Sequence, residues 1–256
     1  MSAFRAGFVV RIGLLLGGVG MVTGAVAAEI LVLSGGAAQS PLTAAVPAFE
    51  SRSGHKVNFT FAPAGEIAKR VAAGEIYDLL ILPAENIEAY EKQGKVVPAS
   101  RAPLGKVGIG VAVNERAPSP DISTPEAFKQ ALLAAKSVVY IDPARGTSGK
   151  HFAGVLQQLG IAEQVNAKAT LGSGGYVVAP VGRGEIELGV HQITEILPVP
   201  GVKLVGPLPP ALQKWTTYTA VMMPGAKSPD AARALIAYLT SRDALAAFEP
   251  KGFAAP

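Results

Sequence analysis

The chain has 256 residues, with 23 Lys and Arg against 19 Asp and Glu, three histidines and no cysteine. The lack of cysteine excludes a disulfide framework, a thiolate metal site and a thiol nucleophile. The formal net charge of +4 comes without a Lys/Arg block or a basic-aromatic stripe, which argues against a nucleic-acid partner.

Arg5 and Arg11 precede an apolar run from Ile12 to Val26, interrupted only by small residues, and Val26-Ala27-Ala28 presents small side chains to a peptidase. This is the pattern of a cleavable export signal over residues 1–28, so a periplasmic location is expected. The apolar run is at the short limit for a membrane span, and no later segment reaches the roughly 20 apolar residues that a span requires. Removing Arg5 and Arg11 from the 23 basic residues leaves 21 against 19 acidic ones. The remaining chain is long enough to bury one large core or two medium ones.

From Glu29 onward, β and α patterns alternate. Glu29 to Leu33 reads as a buried strand, followed by a Ser34-Gly35-Gly36-Ala37-Ala38 turn and an amphipathic helix through about Glu50 that Gly54 ends. Lys56 to Phe61 alternates as a strand, Pro63-Ala64-Gly65 turns, and Glu66 to Ala73 forms a helix stopped by Gly74. Asp78 to Leu82 is a third strand and Glu85 to Lys92 a third helix. Apolar strands joined by helices predict an α/β fold with a mostly parallel sheet covered on both faces.

The run Val107 to Val113, ahead of Pro118, Pro120 and Pro125, reads as a crossing between two lobes. Beyond it come a helix over Pro125 to Ala135, a strand over Ser137 to Ile141, a loop over Asp142 to Gly149 and a helix over Lys150 to Leu159. Leu188-Gly189-Val190 is a further strand. Thr216 to Met222 reads as a strand that carries the chain back, and Asp230 to Thr240 and Arg242 to Phe248 as closing helices. The expected division is lobe I over 29–106 plus 219–256 and lobe II over 107–218.

The stretch Phe61-Ala62-Pro63-Ala64-Gly65-Glu66-Ile67-Ala68-Lys69-Arg70, followed by Ala73-Gly74-Glu75 and Asp78-Leu79, resembles the second ligand loop and helix of molybdate-type periplasmic binding proteins. Asp142-Pro143, Gly149 and Leu159-Gly160, then Gly184-Glu185 to Leu188-Gly189-Val190, Gly201-Val202-Lys203 and Phe248 with Gly252-Phe253, resemble later parts of that family in order and spacing. The resemblance implies a two-lobed, type II binding-protein fold that closes on its hinge. A small anion would sit between the lobes and pass to an ABC-type membrane importer. Helix N-termini, with unpaired N–H groups and partial positive charge, suit an anion without a formal cation.

Where molybdate binders place serine hydroxyls in the first two ligand loops, this chain has Gly35-Gly36-Ala37 and Pro63-Ala64-Gly65, and the family's tyrosine position falls at or near His191 and Gln192. Arg145-Gly146-Thr147-Ser148 stands before the helix expected from Lys150. A guanidinium grips a carboxylate through two parallel hydrogen bonds, so an organic di- or tricarboxylate is the expected ligand. The plainer alternative is a Gly-rich turn with a capping hydroxyl and a solvated arginine.

The expected ligand-binding set is Ser34, Gly35, Gly36, Ala37, Ala64, Gly65, Arg145, Thr147, Ser148, His151, Tyr176 and Gln192. No cofactor, metal or nucleic acid is expected, and the protein is expected to be a monomer. An enzyme reading stands as the alternative, because some relatives of these binding proteins isomerise unsaturated tricarboxylates such as aconitate. That chemistry needs a positioned base, for which His151, His191 and Glu195 are the candidates.

Overall fold

The computed structural model describes residues 27–256, so the expected signal peptide lies outside the described residues apart from Ala27 and Ala28. Strand β1 (Glu29–Gly35) runs through a 3-10 turn, Gly36–Ala38, into helix α1 (Gln39–Ser53). This helix ends at Gly54, whose φ of 74° is left-handed backbone that glycine adopts without steric cost. Strand β2 (Lys56–Ala62), helix α2 (Ala64–Ala72), β3 (Leu79–Pro83) and α3 (Ala84–Lys92) complete the first run of β/α units.

The segment expected as one crossing divides at Gly108 into β4 (Ala102–Val107) and β5 (Ile109–Asn114). Gly108 keeps the crossing tight: a Cβ there would lie 3.0 Å from Gln213 Nε2 and 3.2 Å from Trp215 Cζ3, pressing on both side chains. The second series holds α4 (Pro125–Ala134), β6 (Val138–Ile141), α5 (Thr147–Gln158), α6 (Ala162–Asn166) and β7 (Ala169–Gly172). It continues through α7 (Ala179–Gly182), β8 (Leu188–Gln192), α8 (Ile193–Ile196) and β9 (Val202–Pro207). The chain then returns through β10 (Thr216–Met222) and ends in α9 (Pro229–Leu239) and α10 (Arg242–Phe248).

The strands form two five-stranded sheets, ordered β2-β1-β3-β10-β4 and β7-β6-β8-β5-β9. Four strands of each sheet run in one direction; β10 in the first and β5 in the second run antiparallel to both neighbours. These reversed strands follow the two crossings between sheets. Gln213 ties the crossings together, its Oε1 accepting from Ile109 N at 3.0 Å and its Nε2 donating to Ile109 O at 2.8 Å.

Strand periodicity sorts the core. In β1 and β3, Ile30, Val32, Leu79 and Ile81 face the cluster built with α1, α9 and α10, whereas Leu33, Leu80 and Leu82 face that built with α2 and α3. Alternate side chains leave opposite faces of a strand, so each sheet is covered twice and the chain forms the two-lobed α/β fold. The second sheet likewise packs Val138 and Tyr140 toward α4 and α5, and Val139 and Ile141 toward α7 and α8.

Helix α5 begins three residues before the expected Lys150. Its first turn rests on the end of β6, and a Cβ at Gly149 would lie 1.9 Å from the Ile141 carbonyl oxygen, so only glycine permits the approach. Thr147 and Ser148 therefore sit on the first turn of the helix rather than in a loop.

Candidate functional site

The ends of β1, β3, β6, β8 and β10 and the starts of α2 and α5 enclose a narrow cavity of about 30 Å3 between the sheets. The first lobe contributes Gly35, Gly36, Ala37, Pro63 and Ala64, and the second contributes Gly146, Thr147, Ser148 and Gln192. Three helical starts point at this space: the 3-10 turn leading into α1, α2 and α5. Their N-cap residues Gly35, Pro63 and Gly146 supply no side-chain hydrogen bond. Among the described α-helices only α4, through Thr124, and α10, through Ser241, have side-chain caps. A side-chain cap satisfies first-turn N–H groups; leaving three clustered starts without one keeps their positive ends available to an anion.

The cavity also holds a buried polar network. His191 Nε2 lies 3.1 Å from the Gly175 carbonyl oxygen and 3.3 Å from Glu195 Oε2. Both partners are acceptors, so Nε2 carries a proton. On the other side of the ring, Nδ1 is 3.1 Å from Ser148 Oγ. Burial opposes charge on the imidazole, but the Glu195 carboxylate, its hydrogen bond and the Gly175 carbonyl override it, and the His191 pKa stands above its ordinary value. The ring thus holds Glu195 by one carboxylate oxygen and leaves the other for the cavity.

That other oxygen, Glu195 Oε1, faces the first lobe: a Cβ built on Gly36 would lie 2.7 Å from it. Tyr218, on β10, closes the same wall against Gly35, where a Cβ would be 3.0 Å from its Cε1. Burial, with the Glu195 charge adding to it, pushes the Tyr218 phenol far above its usual pKa, against a hydrogen bond with Thr147 that works the other way. The phenol therefore stays neutral, a hydroxyl donor opposite a carboxylate. Gln192, 2% exposed, donates from Nε2 to Thr147 Oγ1 at 3.5 Å, and its buried Oε1 has no partner.

Of the residues expected from sequence, Gly35, Gly36, Ala37, Ala64, Thr147, Ser148, Gln192, His191 and Glu195 line this cavity. The structure places the others elsewhere. Ser34 is buried in β1 and donates to the Gly35 carbonyl oxygen. Gly65, Arg145 and His151 line an adjoining outer cleft with Lys150 and Lys214, which shares Ala64, Gly146 and Thr147 with the inner cavity. Arg145 donates from Nε to the Ser173 carbonyl oxygen at 2.7 Å, and His151 Nε2 meets the Leu212 carbonyl oxygen at 2.7 Å. Tyr176 is 38% exposed and does not line the inner cavity. Tyr218, absent from the expected set, occupies the wall instead; its only signal in the sequence is an aromatic hydroxyl among the threonines that open the return strand.

The lobes are closed on one another. Gly65 N donates to the Arg145 carbonyl oxygen at 3.2 Å, and Gly174 approaches Pro63 so closely that a Cβ would lie 2.5 Å from its Cγ.

A sheet pair joined by two crossings, with a closed anion-suited cavity between, defines a solute-binding protein. Residues 30–254 match the model of the bacterial extracellular solute-binding protein family, and the chain belongs to that family. It is 37% identical over 229 residues to a Pseudomonas sp. protein named aconitate isomerase, covering 87% of this chain and 86% of that protein. Among solved structures, the Azotobacter vinelandii periplasmic molybdate-binding protein superposes with a TM-score of 0.76 at 17% identity, covering 89% of this chain and 100% of that one. The sulfate-binding protein of Mycobacterium tuberculosis H37Rv gives 0.70 at 16% identity, covering 88% and 86%. Both likenesses concern the fold.

Proposed function

We propose that this chain binds an unsaturated tricarboxylate of the aconitate type in the periplasm and isomerises it without a cofactor, with Glu195 as the base. The observation that carries the reading is the buried Glu195 carboxylate, held through Oε2 by His191 and presenting Oε1 to the cavity beside Gly36. The likeness to the protein named aconitate isomerase supports it. The three helix starts without side-chain caps suit three carboxylates.

The proton inventory closes without a co-reactant. Glu195 Oε1 takes a proton from the methylene carbon flanked by a carboxylate and the C=C bond, and the electron pair spreads over the three-carbon unit. The same number of protons returns to the far carbon, so the double bond moves by one position. Its geometry is set by how the substrate lay in the cavity. His191, protonated at Nε2, steadies the carboxylate, and the neutral Tyr218 hydroxyl and Gln192 amide are placed to hydrogen-bond substrate oxygen.

The test is to incubate catalytic amounts of mature protein with one geometric isomer of aconitate and follow the other by proton NMR. Many turnovers are expected. Return of the ligand unchanged after many equivalents sinks the isomerase reading. That result would favour the second one, capture of an organic carboxylate for an ABC-type importer, which the family membership and the closed anion-suited cavity support.

A further inference from the structure

The fold is shared with receptors named for molybdate and sulfate, yet the cavity here contains a carboxylate. Glu195 is 6% exposed, and its Oε1 occupies the space into which any side chain at Gly36 would project. His191 engages Oε2, the Tyr218 hydroxyl is a donor on the cavity wall, and the first-lobe loop Gly35-Gly36-Ala37 offers no side-chain donor at all. An anion seated on the helix starts therefore meets Oε1 directly. Like charges brought together across a desolvated contact cost several kcal/mol, unless the anion itself supplies a hydrogen for the carboxylate to accept.

We propose that Glu195 is a selectivity filter: it admits anions that bring a hydrogen-bearing group to Oε1 and excludes tetrahedral dianions that have none. Sulfate and molybdate, fully deprotonated at neutral pH, are the excluded kind. Phosphate, of the same shape but with a proton to donate, is accepted better. This rests on the inner cavity being the anion site and not on whether the bound molecule is transformed.

Binding of inorganic phosphate, sulfate and molybdate is measured by isothermal titration calorimetry on the mature wild-type protein and on Glu195→Gln and Glu195→Ala. In wild type, phosphate is expected to bind more tightly than either dianion. In whichever variant keeps the wild-type far-UV spectrum, sulfate or molybdate gains at least about tenfold, the removal of one like-charge contact. Sulfate or molybdate binding to wild type as tightly as phosphate does overturns the proposal, and so does an unchanged dianion affinity in a folded variant. No aconitate enters these titrations, so failure of isomerisation leaves their outcome intact, and failure of the filter leaves isomerisation to its own assay.

Discussion

Gly36 and Glu195 meet across the interface between lobes: the backbone of the first-lobe loop lies so near the second-lobe carboxylate that one added methyl would stand 2.7 Å from Oε1. Gly36→Ala tests the contact. The obstacle is the far end of a flexible side chain, so the carboxylate swings aside and folding loses no more than about 1 kcal/mol, within the usual range for one substitution. Isomerisation falls further, by about a hundredfold, because a displacement on the order of 1 Å at a reacting group costs that much. Melting temperature and turnover are measured together. Wild-type turnover in a folded Gly36→Ala protein would remove Glu195 Oε1 from the reaction.

His191 makes stability depend on pH. Its folded pKa is raised above the ordinary 6.5, Glu195 and the Gly175 carbonyl outweighing burial. The contribution is therefore complete below about 6.5 and is lost as pH rises through the folded value. The groups facing the ring are Ser148 Oγ, the Gly175 carbonyl and Glu195, and of these only Glu195 bears charge. Thermal melts across this range should show wild type losing stability with rising pH more steeply than His191→Gln. Equal slopes in the two proteins would mean that the imidazole does not hold its extra proton in the fold.

The fold was legible where periodicity runs long. β1, α1 and β3 followed from apolar spacing with boundaries within a few residues, as did α10 over Arg242–Phe248. Short elements such as α6, α7 and β7 carry too few residues to display a period. The start of α5 was hidden because Gly146-Thr147-Ser148-Gly149 has the composition of a turn, while the approach of Gly149 to the Ile141 carbonyl is a tertiary fact. At the site, the glycine loops and Ser148, His191, Gln192 and Glu195 were visible as polar or small residues at strand and helix ends. Tyr218 was not, because only the return crossing brings β10 between β3 and β4. Arg145 has the charge and fork of a carboxylate clamp in the sequence, yet its guanidinium turns to the Ser173 carbonyl in the outer cleft.

The packing beneath α5 decides how well Thr147 and Ser148 are held. Phe152 is fully buried, with its ring centroid 5.0 Å from Tyr140 in an edge contact and 6.3 Å from Phe128. Phe152→Ala should cost about 3–5 kcal/mol, the sum of lost transfer energy and a residual cavity. Urea denaturation checks it: the midpoint should fall with the slope unchanged. A loss under about 1 kcal/mol would place Phe152 outside the rigid core.

Lys214 lies on the return crossing and pairs with Glu85 of α3, Nζ to Oε1 at 3.0 Å, with side-chain exposures of 43% and 78%. So exposed a pair adds no more than about 1 kcal/mol to stability, and Lys214→Gln should barely move the melting temperature. The charge acts elsewhere. With Arg145 and Lys150, and against Glu85 alone, it gives the outer cleft an excess of positive charge, and because this cleft shares Ala64, Gly146 and Thr147 with the inner cavity, an entering polyanion passes cations before reaching the helix starts. Such a field raises association rates and is weakened by salt. Stopped-flow binding of a tricarboxylate to wild type should slow as salt is added. Lys214→Gln should bind more slowly at low salt and respond less to its increase, with the dissociation rate little changed. An association rate indifferent both to salt and to Lys214 would mean that the ligand enters by another face.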